Sequence, residues 1–474
     1  MVGSAVAAAI PNAKLDYILK SSKGDREVAI SLWQSTDKGL FTTDISEALV
    51  NGDAEIAVHS WKDLPVSPFP GTMVAGTLER ADPRDVLLVR PDAIDSRPST
   101  FRVLTSSPRR AWQLQKSVAP LLPWPVDAVD AVPVRGNVPT RLEKLASGDA
   151  HGLVVAKAAL DRLLSFDQDI ATRDAVRSIV DSHRWMVLPL KEFPTAPAQG
   201  ALALEVASDR HDIRALVESI SHAPTRTAVE AERAILTAHG GGCHEAIGAT
   251  VLVRPYGVVT STRGLLPGGD EFEQWTLDSA STPPPQANPE ALWPRPDERD
   301  QAERTPVAAS WPADVDGWWV ARADAVPDEV EFAPAQVVWA AGSRTWRRLA
   351  ARGIWVNGCA DGLGDAEAPA LDQLAGRAVL WRRLSHTASD DQDAVATYTV
   401  HVPLPDDLAS RTHFYWTSGS LFLEALNRYP GIRSGWHGCG PGRTSRVVQD
   451  TLGNDGRISI WLDYDQWHQH VTRQ

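Results

Sequence analysis

Arg102-Val-Leu-Thr-Ser-Ser-Pro-Arg-Arg-Ala-Trp-Gln-Leu-Gln115 is a strand that runs into a helix. Arg102 to Thr105 has the short apolar character of a strand. Pro108 suits a first helical turn, where its missing N–H costs nothing. Working outward, the same rhythm recurs. Ala131 to Val134 reads as a strand, Val138 to Ala146 as a helix and Gly152 to Val155 as a strand. Strands alternating with helices imply largely parallel α/β layers. Upstream, Asp44 to Val50 has helical spacing with Asp44 as its N-cap, and Ala54 to Val58 is a strand leading into His59-Ser60-Trp61-Lys62-Asp63. Val6 to Ile10 reads as the end of a helix, and Leu15 to Leu19 alternates like a strand. Downstream, Ala201 to Val206 is a strand, and residues 222–280 read as a helix followed by short strands broken by turns. Composition shifts to Pro, Asp, Glu and Ala from Ser281 to about Asp314, and a βα rhythm resumes near Trp318.

The chain has 474 residues, 43% hydrophobic and 23% charged, with a net charge of −13. This is an ordinary soluble composition, with length for about three to four domains. The acidic balance argues against a general nucleic-acid or anionic-membrane surface. The three cysteines, Cys243, Cys359 and Cys439, are far apart and imply no disulfide framework, which fits a reducing cytoplasm. The sequence shows no signal peptide, and no apolar run approaches the ~20 residues of a membrane span. Eighteen tryptophans against three methionines read as genomic residue usage.

Polar clusters sit where strands end, the place where open α/β sheets bind ligands. His59 to Asp63 follows one strand, Thr105-Ser106-Ser107-Pro108-Arg109-Arg110 a second, and Arg135-Gly136-Asn137-Val138-Pro139-Thr140-Arg141 a third. Convergence of Arg109, Arg110, Arg135 and Arg141 would make a site for a ligand with several carboxylates, since guanidinium forks match carboxylates. Asp63 beside such a cleft could stabilise a developing cation or move a proton. Taken singly, each element has a plainer reading: a solvated Arg-Arg face, a common Arg-Gly-Asn turn, a surface ion pair. Gly240-Gly241-Gly242-Cys243 presents a thiol stripped of neighbouring side chains, suited to a covalent group. A small buried residue in a turn is the plainer alternative.

Together these residues resemble the porphobilinogen deaminase family, also called hydroxymethylbilane synthases. The matching segments are Lys38-Gly-Leu-Phe41, Ile56 to Pro65, Glu79-Arg-Ala-Asp-Pro-Arg-Asp85, Thr105 to Arg110, Arg135 to Leu142, Pro197-Ala-Gln-Gly-Ala201 and Ala231-Glu-Arg-Ala to Cys243, in order across roughly residues 5–275. The resemblance implies two periplasmic-binding-protein-like α/β lobes, domain 1 over 1–80 and 198–217 and domain 2 over 81–197. A small α+β third domain, 218–280, would carry the cofactor cysteine. It implies a dipyrromethane cofactor held through a thioether on Cys243, and Asp63 as the catalytic carboxylate. Lys62, Ser60, His59, Thr105, Ser107, Arg109, Arg110 and Gly136 would bind the cofactor, and Lys38, Arg80, Arg135, Arg141, Arg162 and Gln199 the growing chain. No metal is implied. The implied reaction condenses four porphobilinogens head to tail, losing ammonia each time, and releases the linear tetrapyrrole by hydrolysis. A cytoplasmic monomer without nucleic-acid or membrane partners is expected. Two departures stand out. The family opens with a strand and loop before its first helix, whereas this chain begins inside that helix, so domain 1 is expected to lack its N-terminal strand. Gln34 stands where many members have lysine. A non-catalytic tetrapyrrole-binding remnant remains an alternative.

Residues 281–317 are expected to be a linker or insertion, and 318–474 an α/β domain. Trp416-Thr-Ser-Gly-Ser420 and Cys439-Gly-Pro-Gly-Arg-Thr444 each join a strand to a helix. Both turns resemble uroporphyrinogen-III synthase, although the segment is shorter than a full synthase. The resemblance leaves open a vestigial domain, a specificity-assisting one or a bifunctional fusion. Helix caps rich in Ser and Thr are the plainer reading.

Overall fold

A computed structural model describes residues 1–18, 43–239, 246–266, 268–299, 301–365, 369–387, 393–453 and 456–473. The chain divides into two compact units. The first comprises Met1–Ala119, Val126–Val253 and Thr260–Trp275; the second comprises Pro120–Pro125, Arg254–Val259 and Thr276–Gln474. Among the described residues, no helix is long and apolar enough to cross a membrane.

The first unit opens with helices α1 (Val2–Ala9) and α2 (Thr43–Val50) and strands β1 (Ala57–Ser60) and β2 (Thr72–Thr77). The chain then builds β3 (Asp85–Val89), α3 (Pro91–Ser96), β4 (Thr100–Leu104), α4 (Pro108–Ser117), β5 (Ala128–Val132), α5 (Val138–Ala146), β6 (Gly152–Ala156), α6 (Lys157–Leu164), α7 (Ile170–Ser182) and β7 (Arg184–Val187). It returns with β8 (Leu202–Ala207) and α8 (His211–Ser219), so that β8 lies between β1 and β2 and antiparallel to both. The alternation read at Leu15 to Leu19 does not form a strand over residues 13–18, and Leu19 lies outside the described residues.

The five-stranded sheet has the order β5-β4-β6-β3-β7. β4 is parallel to β5 and β6, whereas β3 is antiparallel to β6 and β7. β3 and β6 are buried along their whole length, as expected of central strands covered on both faces. Val86, Leu87, Leu88 and Val89 are each 0% exposed, and each such side chain contributes roughly 1.5–3 kcal/mol by leaving water. Helix starts follow the local chemistry. Ser107 caps α4 by accepting from Arg110 N, and Asn137 caps α5 by accepting from Thr140 N, each with proline in the first turn.

Helix α9 (Ala223–Ala238) precedes β9 (Ala246–Arg254), β10 (Gly257–Leu265) and β11 (Glu271–Ser279), three nine-residue strands in the order β11-β10-β9. They are longer than the turn-rich sequence suggested.

In the second unit, β12 (Leu292–Trp293), β13 (Glu303–Pro306), β14 (Gly317–Val320), β15 (Val337–Ala340), α10 (Ser343–Ala350), β16 (Gly358–Cys359), α11 (Asp372–Ala375), β17 (Trp381–His386) and β18 (Ala394–His401) come first. β19 (His413–Trp416), α12 (Gly419–Arg428), β20 (Trp436–Cys439), α13 (Arg443–Leu452), β21 (Arg457–Ile460) and α14 (Tyr464–Thr472) complete it. They form a four-stranded parallel sheet, β12-β19-β20-β21, and a six-stranded sheet, β13-β18-β17-β14-β15-β16, with β13 antiparallel at its edge. Residues 281–317, expected as a linker, thus supply β12 to one sheet and β13 to the other. Tryptophan does structural work here: Trp339, Trp346, Trp416 and Trp467 are among the largest fully buried side chains.

One buried carboxylate ties three parts of the first unit together. Glu232 of α9, 0% exposed, takes both terminal nitrogens of Arg80 (2.6 and 3.0 Å), Ala198 N (2.7 Å) and Val251 N (2.7 Å). Glu232→Ala would strand a buried guanidinium and two backbone N–H groups, a loss of about 3–5 kcal/mol. Equilibrium urea unfolding is expected to show that drop in midpoint.

Candidate functional site

Sheet polarity assembles the site. β4 and β5 are parallel neighbours, so Thr105 to Ser107 and Val134 to Asn137 emerge at one edge. Ser106 Oγ stitches them, donating to Val134 O (2.6 Å) and accepting from Val134 N (2.9 Å). β3 runs the other way, and its register places Asp85 beside Ala156, the last residue of β6. The start of β3 therefore arrives at the edge where β4, β5 and β6 end. Likewise Ser60, the last residue of β1, faces Leu202, the first of β8, which brings Trp61-Lys62-Asp63 next to Gln199.

Asp85 is the centre of what results. It is 1% exposed. Arg110 contacts it through Nη2 (2.6 Å) and Nε (3.2 Å), Arg109 through Nη2 (2.9 Å) and Gln199 through Nε2 (2.8 Å). Burial works against its charge, but Arg110 and then Arg109 outweigh that and hold its carboxyl well below the usual carboxylate range. Arg109 also donates to Gln113 Oε1 (2.9 Å) and Pro194 O (3.0 Å), and Arg110 to Val154 O (3.4 Å). Gln199 carries the network on, donating to Pro83 O (2.7 Å) and accepting from Lys62 Nζ (3.3 Å). Lys62 is half-buried. Burial pulls its pKa down, Asp63 pushes it up, and Arg110 and Arg109 pull it down further.

Asp63 is exposed at the end of the 3-10 turn Trp61–Asp63. Arg141 donates Nε to Gly136 O (2.7 Å); burial, then Arg110 and Arg135, depress its pKa. Gly136 has φ +107, and a Cβ there would lie 2.7 Å from Thr140 Cγ2, so glycine is required at this turn. Thr105 Oγ1 accepts from Ser107 N (3.2 Å). Lys62, Arg109, Arg110, Arg135 and Arg141 therefore share a neighbourhood with Asp63 and Asp85. Positive charge is in excess there, and Arg109 Nε is buried without a hydrogen-bond partner. This donor set fits an anion with several carboxylates.

His59 and Arg80 have their main partners outside this network. His59 gives its ring Nε2 to Glu205 (2.8 Å) inside a buried group with Ser46 and Thr72. Arg80 is spent on Glu232 and on Gln199 O (2.8 Å). Arg162 is exposed on α6, and no described contact links its side chain to the cluster. Ser60 is half-buried at the end of β1. Lys38 and Cys243 lie outside the described residues. Cys359 and Cys439 are buried thiols that form no disulfide, and burial pushes Cys439 up to about 12. A thiol that stays protonated at neutral pH is neither nucleophile nor ready attachment point.

Sequence reasoning did not single out Asp85, Glu232 or Glu205. The first two carried a signal. Asp85 opens a strand whose remaining residues, Val86 to Val89, are all apolar. Glu232 lies four residues after Ala228 on the same helix face. A charge in either place must find a buried partner.

Residues 2–215 match the family model described as "Porphobilinogen deaminase, dipyromethane cofactor binding domain". The chain is 34% identical over 284 residues to the porphobilinogen deaminase of Syntrophomonas wolfei, covering 60% of this chain and 85% of that one. It is 36% identical over 234 residues to that of Coxiella burnetii (49% and 68%). It is 39% identical over 233 residues to that of Nitratidesulfovibrio vulgaris (48% and 67%). An α/β protein with a cation cluster around a buried aspartate is thus given its family: the chain belongs to the porphobilinogen deaminases. The matched region is their dipyrromethane cofactor domain.

Asp85→Asn leaves two buried guanidiniums facing a neutral amide and is expected to cost about 3–5 kcal/mol at neutral pH. A depressed folded pKa contributes stability above the ordinary value of 3.8, which is lost as pH falls. The gap between wild type and variant in urea midpoint is therefore expected to be full at pH 7 and to narrow below pH 3.8.

Proposed function

We propose that this chain is a hydroxymethylbilane synthase. It joins four porphobilinogens head to tail, releases ammonia at each step and frees the linear tetrapyrrole by hydrolysis. The observation that carries the reading is the overlap of two things. The family's cofactor-domain match, residues 2–215, contains the whole network from Lys62 through Gln199 and Asp85 to Arg110, with Asp63 exposed at its edge. Pyrroles bearing acetate and propionate groups are the polycarboxylate that such a donor set suits. In this reading Cys243 holds the dipyrromethane, which supplies the pyrrole carbon from which the chain grows.

The chain's own residues have separate tasks. Arg109 and Arg110, fixed by Asp85, and Arg135 and Arg141, at the next strand end, bind carboxylates; Lys62, Ser60, Thr105, Ser107 and Gly136 border the same space. Asp63 stabilises the positive charge that develops on a pyrrole nitrogen as ammonia leaves, and takes up a pyrrole proton. His59, Arg80 and Gln199 serve by holding the frame, and Lys38 and Arg162 are further carboxylate contacts. The protein acts as a cytoplasmic monomer without nucleic-acid or membrane partners.

Intact-mass measurement of the purified chain is expected to show a covalent two-pyrrole adduct that Cys243→Ser lacks while remaining folded. Asp63→Asn is expected to retain the adduct and lose turnover by about 10²- to 10⁴-fold. An adduct persisting in Cys243→Ser, or near-normal turnover in Asp63→Asn, would reassign those roles. A loaded wild-type protein without turnover would identify a tetrapyrrole-binding remnant.

The second unit supports a narrower reading as a uroporphyrinogen-III-synthase-like region. Ser418 caps α12 by accepting from Leu421 N, and Gly442, φ +104, starts α13 after β20. Asp365 contacts both Arg383 of β17 and Arg446 of α13 (2.8 Å to the latter). We expect little steering of product: porphobilinogen fed to the full chain should give, after oxidation and separation, predominantly type I porphyrin. Predominantly type III product would make the unit an active synthase.

A further inference from the structure

The turn that presents Asp63 is held by two anchors. On its inner side, Trp61 is 4% exposed among Leu64, Ala198, Ala201, Ala203 and Val229, and its N–H donates to Ala201 O (3.0 Å). The second anchor is Arg233 of α9, four residues past Val229 on the same helix face. Its Nη1 donates to Leu64 O (3.1 Å) and Trp61 O (3.4 Å), and its Nη2 to Pro65 O (2.5 Å). Those three carbonyls bracket Asp63 along the chain. A 3-10 turn this short has little hydrogen bonding of its own: Leu64 N closes on Trp61 O at 3.2 Å. One guanidinium therefore makes more bonds to the turn's carbonyls than that closing bond supplies.

The clamp is itself rigid. Arg233 follows Glu232, whose two carboxylate oxygens are committed to Arg80, Ala198 N and Val251 N. The stem of Arg233 thus starts from a fixed point of α9. The planar fork holds the three carbonyls from two fixed nitrogens, Nη1 and Nη2, whereas an ammonium is a point charge on a flexible stem.

We infer that Arg233 is a positioning residue for the reaction. It orients the Asp63 carboxylate by clamping the carbonyls of Trp61, Leu64 and Pro65, without contacting substrate. This rests on the reading of Asp63 as the catalytic carboxylate. The test uses the full-length, cofactor-loaded protein with Arg233→Met, Arg233→Lys, Asp63→Asn and the Asp63→Asn/Arg233→Met double variant. Intact mass and kcat and KM are measured for each. Arg233→Met is expected to keep the two-pyrrole adduct and a KM within about twofold of wild type, while kcat falls about 10- to 100-fold, the scale of a 1 Å misplacement. Arg233→Lys should fall in between. In the Asp63→Asn background, Arg233→Met should cause no further loss, because a residue that acts through Asp63 has nothing left to orient.

An equal fractional loss in both backgrounds, or an unchanged kcat in Arg233→Met, would overturn the inference. Loss of the adduct or of the fold in both Arg233 variants would also overturn it, by assigning the residue to assembly. Near-normal turnover in Asp63→Asn would instead overturn the Asp63 reading, and with it the purpose given to the clamp.

Discussion

A carboxylate at the head of a buried strand cannot be left to itself, and Asp85 is that carboxylate. Placing it at 1% exposure is tolerable only because Arg109, Arg110 and Gln199 converge on its two oxygens. The consequence runs outward. The guanidiniums that hold Asp85 lose their rotamer freedom at folding rather than at ligand binding, so an anion arriving later meets donors already oriented. Asp85 cancels one of their two charges and leaves the other to join Lys62, Arg135 and Arg141. Gln199 then carries the same restraint to Lys62 (3.3 Å), so the turn with Asp63 and the ends of β4 and β5 share one polar frame.

The crossing segments make that frame possible. Ala81 N donates to Gly200 O (3.1 Å), and a Cβ at Gly200, φ +87, would lie 2.6 Å from Ala81 O. Contact this close requires glycine. It sets Gln199 one residue away, facing Asp85 rather than solvent. Glu232 reinforces the crossing through Ala198 N and Arg80. Arg80 belongs to this frame through its bidentate pair with a fully buried glutamate.

How much of this was legible in the sequence depends on range. The βα order of 100–156 and the helices at 108–117 and 138–146 follow from local apolar spacing and caps, which are short-range signals. So do the strand-end clusters, because a strand's polarity fixes where its loop goes. What the sequence withheld was pairing between distant segments. The antiparallel reversal of β3, which brings Asp85 to the active edge, depends on residues 152–156 and 184–187. The family resemblance implied a cofactor contact for His59. Its ring partner in the fold, Glu205, lies 146 residues away, beyond the reach of any local signal. In the second unit, the Pro- and Asp-rich composition of 281–317 read as a linker or insertion, and the two- and four-residue edge strands within it are too short to register as periodicity. The tryptophans looked like a compositional habit, yet eleven of those in the described residues are core.

The residual positive charge has a thermodynamic consequence. Burial and the surrounding guanidiniums depress Lys62, and burial with Arg110 and Arg135 depresses Arg141. Each depression is a measure of destabilised charge in the folded chain. A polycarboxylate seated among these groups would reverse part of it, raising both pKa values towards their ordinary range. Binding and folding are then linked: a ligand that binds only the folded form stabilises it by RT ln(1 + L/Kd), where L is the free ligand concentration. A covalently held polycarboxylate would be the limiting case, since it cannot dissociate. The cation cluster is assembled at a cost to the bare fold, and a polycarboxylate seated in it would offset part of that cost.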